Sequence, residues 1–191
     1  MRRTRNVAWG CLVVLLTVVS CNSKGTQPND GGPNLLSNGS FEDKGNPSLA
    51  GWKLIDSALI SLKPEAPPMG GSYCLSMGAG WIPERCYAWA QVPGVQAGDI
   101  LVVSATGREW QGGMLRGGLG LIVGPSSRLP RNFVRDGLSF PVSSWSSVSM
   151  VDTVFPGPSD TVWVVLYGPT CELCQDAPTR FDLVSVRRLI D

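Results

Sequence analysis

NLLSNGSFEDKGNPSLAGW, Asn34 to Trp52, and RFDLVSV, Arg180 to Val186, are the two stretches from which the fold is read. The first reads as a short opening strand broken by Asn38-Gly39, a dipeptide that readily takes φ > 0 and turns the chain. An aromatic and two carboxylates follow, Phe41, Glu42 and Asp43, then a loop, then Gly51-Trp52. The second reads as a strand with Phe181, Leu183 and Ser185 on one face and Asp182, Val184 and Val186 on the other. Both faces are mostly apolar, so it reads as a largely buried strand.

After the first stretch, eight runs read as strands, the last being the second stretch itself: 58–63, 72–77, 86–92, 100–107, 119–123, 147–155, 161–167 and 180–186. Clusters of Gly and Pro separate them, and no run has the length and period of a helix. Many short strands with this punctuation indicate an all-β sandwich, and a first and last strand that answer each other favour a jelly roll. The 23 Gly and 15 Pro fit the same picture, short strands joined by turns.

The motifs N-L-L-x-N-G-x-F-E at Asn34 and F-D-x-V-S-V at Phe181 resemble the opening and closing strands of galactose-binding-domain-like jelly rolls. More narrowly, they resemble the cellulose- and xylan-binding modules of that superfamily, over Asn34 to Ile190. The resemblance implies a jelly-roll β-sandwich of eight or nine strands. It also implies a structural Ca²⁺ held in part by Glu42 and Asp182 with backbone carbonyls, since Ca²⁺ takes six to eight oxygens. The closing motif of those families often has a second acidic residue where Leu183 stands, which leaves the ligand set open; the alternative is that both carboxylates are surface or capping groups.

The first twenty residues read as an export signal, outside any fold argument. Arg2, Arg3 and Arg5 precede an apolar stretch, Val7 to Val19, that is too short for the ~20 residues a membrane span needs. It ends Val18-Val19-Ser20-Cys21, similar to a bacterial lipobox, in which the Cys thiol takes the lipid and becomes the first residue after cleavage. Asn22 after that Cys would favour the outer membrane in a Gram-negative cell. Residues 21–33 then form a lipidated Cys and a flexible Gly/Pro-rich tether, and 34–191 a single domain. Losing the three arginines takes Lys+Arg from 16 to 13 against 15 Asp+Glu, near −2, with no basic stripe for nucleic acid.

Four cysteines remain in the domain: Cys74, Cys86, Cys171 and Cys174. An even number in an exported domain suggests disulfides. A hairpin turning at Gly80 would set Cys74 opposite Cys86, and Cys171-x-x-Cys174 would close a small loop of its own. Redox or zinc roles for the latter are weaker, since no helix follows it and the chain has no His. The missing His also removes triad catalysis and the usual base near neutral pH. An enzyme would need a glycosidase-type carboxylate pair from Glu84, Glu109, Asp136 and Asp152, each more simply a surface or loop group.

The aromatics carry the ligand expectation. Trp52 follows the opening motif and Trp145 precedes an alternating strand where the resembled families have a packing Trp, so both are expected in the core. In 86–92, Tyr87, Trp89 and Gln91 oppose a small aliphatic face; beyond 100, Ser104, Thr106, Arg108 and Trp110 oppose Val103 and Ala105; Trp163 and Tyr167 oppose Val162, Val164 and Leu166. One mixed aromatic and polar face suits a sugar, whose C–H face packs on a ring while its hydroxyls need polar partners. Tyr87, Trp89, Gln91, Arg108, Trp110 and Trp163 are therefore the candidate ligand residues, with Trp81 at a loop tip. The same rings could instead be a second hydrophobic face. The reading is a lipid-anchored, non-catalytic module outside the cytoplasm that binds a polysaccharide or cell-surface glycan; a structural or assembly lipoprotein and a carboxylate-pair enzyme are the alternatives.

Overall fold

The computed structural model describes residues 32–78, 85–109, 116–125, 138–140, 143–170 and 178–189. The signal segment, Cys21, Trp81, Glu84, Trp110, Asp136, Cys171 and Cys174 lie outside the described residues. Twelve strands follow in chain order: β1 Glu42–Asp43, β2 Asn46–Pro47, β3 Trp52–Ile55, β4 Ile60–Lys63, β5 Cys74–Met77, β6 Tyr87–Val92, β7 Ile100–Glu109, β8 Gly118–Pro125, β9 Leu138–Ser139, β10 Ser146–Thr153, β11 Asp160–Tyr167 and β12 Thr179–Arg188. Each of the eight strands read from the sequence is present with its ends within two residues. The brief pairs β1–β2 and β9, and β3 with its central Lys53, were not legible, because two to four residues give too little alternation to register.

The strands form two five-stranded antiparallel sheets and one ribbon, β1–β2. The first sheet has the order β10-β7-β12-β5-β4 and the second β3-β6-β11-β8-β9. They pack face to face as a jelly-roll β-sandwich. Because side chains alternate along a strand, each sheet turns one set of residues into the shared core. Leu75, Met77, Leu101, Val103 and Ala105 enter from the first sheet, and Ala88, Ala90, Leu119, Leu121, Val164 and Leu166 from the second. Trp52 is core as expected. Its Nε1–H donates to Asn38 O at 2.7 Å and its ring lies 5.2 Å from that of Phe41, which is wholly buried.

The opening stretch departs from expectation: residues 34–40 form no strand. They do lie along β12, so the first and last stretches answer each other. Leu35 N–H donates to Val186 O and Val184 N–H to Gly39 O, both at 2.8 Å, while the Asn34 side-chain oxygen accepts from Val186 N–H at 3.0 Å. A side chain thus takes part of a ladder's work. The cause is an irregularity in β12 between Asp182 and Ser185, where Leu183 sits at φ 50°. Gly39 approaches so closely there that a Cβ would lie 1.8 Å from Val184 O.

That irregularity also corrects the faces of the closing strand. The extra residue shifts the period, so Phe181, Val184 and Val186 all enter the core. Asp182 is in register with Thr106, and Ser185 with Ser104, on the outward side.

Candidate functional site

Glu42 and Asp182, far apart in sequence, meet on the outer side of the first sheet. Asn38 fixes the turn that delivers Glu42: its side-chain oxygen accepts from Glu42 N–H at 3.0 Å, and its amide donates to Ser48 O at 3.0 Å and Ala50 O at 3.2 Å. Glu42 Oε1 accepts from the backbone N–H groups of Ser72 and Tyr73, the latter at 2.7 Å. Asp182 is fully buried; its Oδ1 accepts from Leu183 N–H at 2.7 Å and its Oδ2 has no partner. Burial pushes the Asp182 carboxyl up to about 7, with the nearby Glu42 charge adding to the rise and the Leu183 N–H opposing it.

The chain crosses these carboxylates at Gly70 and Gly71. A Cβ would lie 2.4 Å from Asp182 Oδ2 at the first and 2.0 Å from Glu42 Oε1 at the second, so bare backbone is required. Neither carboxylate is ion-paired among the described residues. An orphaned buried oxygen, a second carboxylate and close backbone fit a Ca²⁺. No third His, Cys, Asp or Glu joins them among the described residues, so the remaining oxygens would come from backbone carbonyls.

The candidate ligand residues do not share one surface. Tyr87, Trp89, Gln91 and Trp163 lie on the outer face of the second sheet, where Trp163 stands in register with Gln91, and Tyr167 with Tyr87. Arg108 lies on the outer face of the first sheet, across the sandwich, in register with Arg180. The alternation within each strand was read correctly, but the pairing of strands was not available from it. Nor are the rings open. Trp163 is 4 % exposed, Tyr87 7 % and Tyr167 6 %, and they pack with Ile122 and Val165 as a second hydrophobic cluster. Lys53 Nζ lies 4.9 Å over Trp163 and the Arg85 guanidinium 5.0 Å over Tyr167. Trp89 is half-buried and Gln91 exposed.

An open groove lies on the other sheet. A groove of about 660 Å³ runs over β10, β7 and β12, between residues 34–40 and the loop Pro67-Pro68-Met69. Its floor carries cross-strand hydroxyl pairs, Ser104 Oγ and Ser185 Oγ at 2.7 Å, and Thr106 Oγ1 and Ser147 Oγ at 2.8 Å. Within each pair one hydroxyl donates to the other, which leaves a donor and several lone pairs for a ligand. Trp145 lines the groove, half-buried rather than core, with the Arg108 guanidinium 5.2 Å from its ring. Arg108 and Arg180 are both held by Glu65 from the loop after β4. The sequence reading had the outward residues Ser104, Thr106 and Arg108 of this face but missed Trp145, Ser147 and Ser185, although the hydroxyls of 143–149, SSWSSVS, were a signal.

Glu109, Cys74 and Cys86 are buried. Glu109 is no surface group: it is 5 % exposed and accepts from Gly117 N–H at 2.6 Å and Thr179 Oγ1 at 3.3 Å, and burial raises its pKa. The expected Cys74–Cys86 hairpin is absent, and both are free, buried thiols. β5 pairs with β4 and β12, whereas β6 pairs with β3 and β11 in the opposite sheet. Cys86 belongs to the core, while Cys74 alternates with the core residues Leu75 and Met77 and so faces outward. A sheet lies between the two thiols. Burial pushes the thiol pKa up to about 11 for Cys74 and about 12 for Cys86, so both stay protonated at neutral pH.

No family model matches the sequence, and no curated protein matches it. Solved structures do match in fold. A Family 16 carbohydrate-binding module superposes with TM-score 0.58 at 19 % identity, covering 80 % of this chain and 99 % of that one. The CBM22-1 xylan-binding domain of Paenibacillus barcinonensis Xyn10C gives 0.56 at 14 %, covering 84 % and 97 %. The enzymatically active domain of bacteriophage CBA120 tailspike protein 4 gives 0.55 at 13 %, covering 81 % of this chain but only 21 % of that one. The fold is therefore a jelly roll shared with these modules, and this chain spans almost the full length of the two modules and about a fifth of the tailspike domain.

Proposed function

We propose that the protein is a non-catalytic carbohydrate-binding module for a polysaccharide or cell-surface glycan. In this reading it is anchored by a lipid on Cys21 to a bacterial membrane facing outside the cytoplasm, the outer membrane in a Gram-negative cell. The observation that carries the binding role is the open groove on the first sheet, with hydroxyl pairs for a floor and Trp145 in its wall. A pyranose offers a C–H face to an indole and hydroxyls to Ser and Thr, so floor and wall address the two sides of its chemistry. The likeness to modules whose names record carbohydrate or xylan binding supports the same reading. No carboxylate lines the groove among the described residues, so a glycosidase pair has no place in it.

Glu42 and Asp182 hold a structural Ca²⁺ with backbone carbonyls in this proposal. The ion neutralises the two carboxylates and ties the β1–β2 ribbon, the 64–73 loop and β12 together. That steadies Pro67 to Met69 as the lip of the groove.

Retention on insoluble xylan and cellulose tests the binding role. Wild type should be retained and Trp145→Ala released, with its melting temperature little changed. Retention of neither, on any glycan, would leave an assembly lipoprotein as the better account. For the anchor, Cys21→Ser should abolish acyl labelling and leave unprocessed precursor.

A further inference from the structure

Arg187 is the one charged residue among those lining the groove, and no acidic side chain lines it. It follows Ser185 by two residues on β12, so both project from the outward side of the first sheet, and its register partner is the apolar Val102. The other described arginines are all engaged. Arg108 and Arg180 share Glu65, Arg188 meets Asp99 at 2.8 Å, Arg116 meets Glu109 at 3.6 Å, and Arg85 donates to Arg116 O at 3.1 Å. Arg187 has no ion pair or hydrogen bond from its guanidinium among the described residues; its Nε is buried without a partner, as are those of Arg108, Arg180 and Arg188. A partly desolvated cation with no counter-charge is costly to keep, because a guanidinium needs acceptors when water is withdrawn.

We propose that the groove selects an anionic sugar, one carrying a carboxylate or sulfate, which Arg187 receives while the neighbouring hydroxyl pairs take its ring hydroxyls. The proposal rests on the carbohydrate-binding reading and adds the class of ligand. The planar fork of a guanidinium matches two oxygens of one carboxylate or sulfate, and the bond is charge-assisted. A neutral sugar could still stack on Trp145 and bond to Ser104, Ser185, Thr106 and Ser147. It would leave the Arg187 charge uncompensated, which is where discrimination arises.

The test measures equilibrium binding of the full-length protein in detergent to three hexasaccharide probes: neutral xylohexaose, hexagalacturonate and a sulfated galactan. At least one anionic probe should bind ~10–100-fold more tightly than xylohexaose, the range of a charge-assisted contact, and added salt should narrow the gap. The two anionic arms tell carboxylate from sulfate. Arg187→Gln should reduce anionic binding to the level of xylohexaose, closing the ratio between the probes. Arg187→Lys should keep part of the preference, having the charge without the fork, and it serves as the second variant should Arg187→Gln melt early. Equal affinity for neutral and anionic probes, or an anionic preference untouched in both variants, overturns the inference while sugar binding stands. If wild type binds none of the three and is retained on no insoluble glycan, the binding-module reading falls with it.

Discussion

The two outer faces of the sandwich invert what their composition suggests. The second sheet carries Tyr87, Trp89, Trp163 and Tyr167, yet three of the four rings are buried with Ile122 and Val165. The first sheet carries serines, Thr106, Trp145 and Arg187, and it holds the open groove. Aromatic side chains on an outward face are as well suited to packing with each other as to a ligand. Burial separates the two uses: a ring that is 4 % exposed has no free face to offer a sugar, whereas a half-buried indole over a polar floor does.

Six measurements would break or sharpen that contrast. Trp163→Ala should cost ~3–5 kcal/mol of stability in denaturant unfolding, the usual loss for a deleted buried aromatic. Retention by the protein that remains folded should be unaffected; a stable variant that no longer binds glycan would move the site to the second sheet. Chelation comes next. Calcium at 100 to 1,000 times its dissociation constant should add ~2.7–4 kcal/mol, lost with EDTA and absent in Glu42→Ala and Asp182→Ala.

With chelator present, the pH dependence has a definite sign. The Asp182 carboxyl titrates near 7 when folded against 3.8 ordinarily, so the native state binds more protons between those values. Stability should fall as pH rises from about 4 to about 7 and level off above, with the slope removed in Asp182→Asn. Saturating calcium should suppress that fall by favouring the carboxylate. A flat profile in EDTA would mean that Asp182 is not desolvated as the structure has it.

Glu65→Gln leaves Arg108 and Arg180 adjacent without their shared anion. The three side chains are 18–33 % exposed, so the loss should lie between that of exposed and buried pairs, ~1–3 kcal/mol in thermal unfolding. Trp145→Ala should cost less than ~1 kcal/mol of stability, in keeping with a half-exposed position, while removing most glycan retention. That opposite split from Trp163→Ala is the sharpest form of the contrast. Smallest of all, Cys74→Ser and Cys86→Ser should not alter the effect of reductant on melting. Both native thiols should resist alkylation until the protein is unfolded; a Cys74–Cys86 bridge in peptide maps would contradict the separation of their strands.

What was legible in the chain was what alternation and turn chemistry encode locally. Eight strands and their inward and outward residues in β6, β7 and β11 follow from a period of two punctuated by Gly and Pro, and the core role of Trp52 was read from its place after the opening motif. The approach of Glu42 to Asp182 was available only through resemblance, since nothing local links residues 140 positions apart. β12 was misassigned in part because one irregular residue, Leu183, resets the period and cannot be seen in a pattern that is apolar on both sides.

By itself, then, the sequence determined the kind of architecture, since hydrophobic alternation acts over a few residues and is written directly in the chain. Which strands became neighbours was decided only in three dimensions. Sheet pairing is a competition among all strands for long-range partners, and it placed Cys74 and Cys86 on either side of a sheet and Arg108 across the sandwich from Trp163. The choice of open face was also tertiary. Rings of one cluster bury each other, while the Asn34–Ser40 segment and the Pro67–Met69 loop rise beside a hydroxyl floor on which Arg187 has no counter-charge among the described residues.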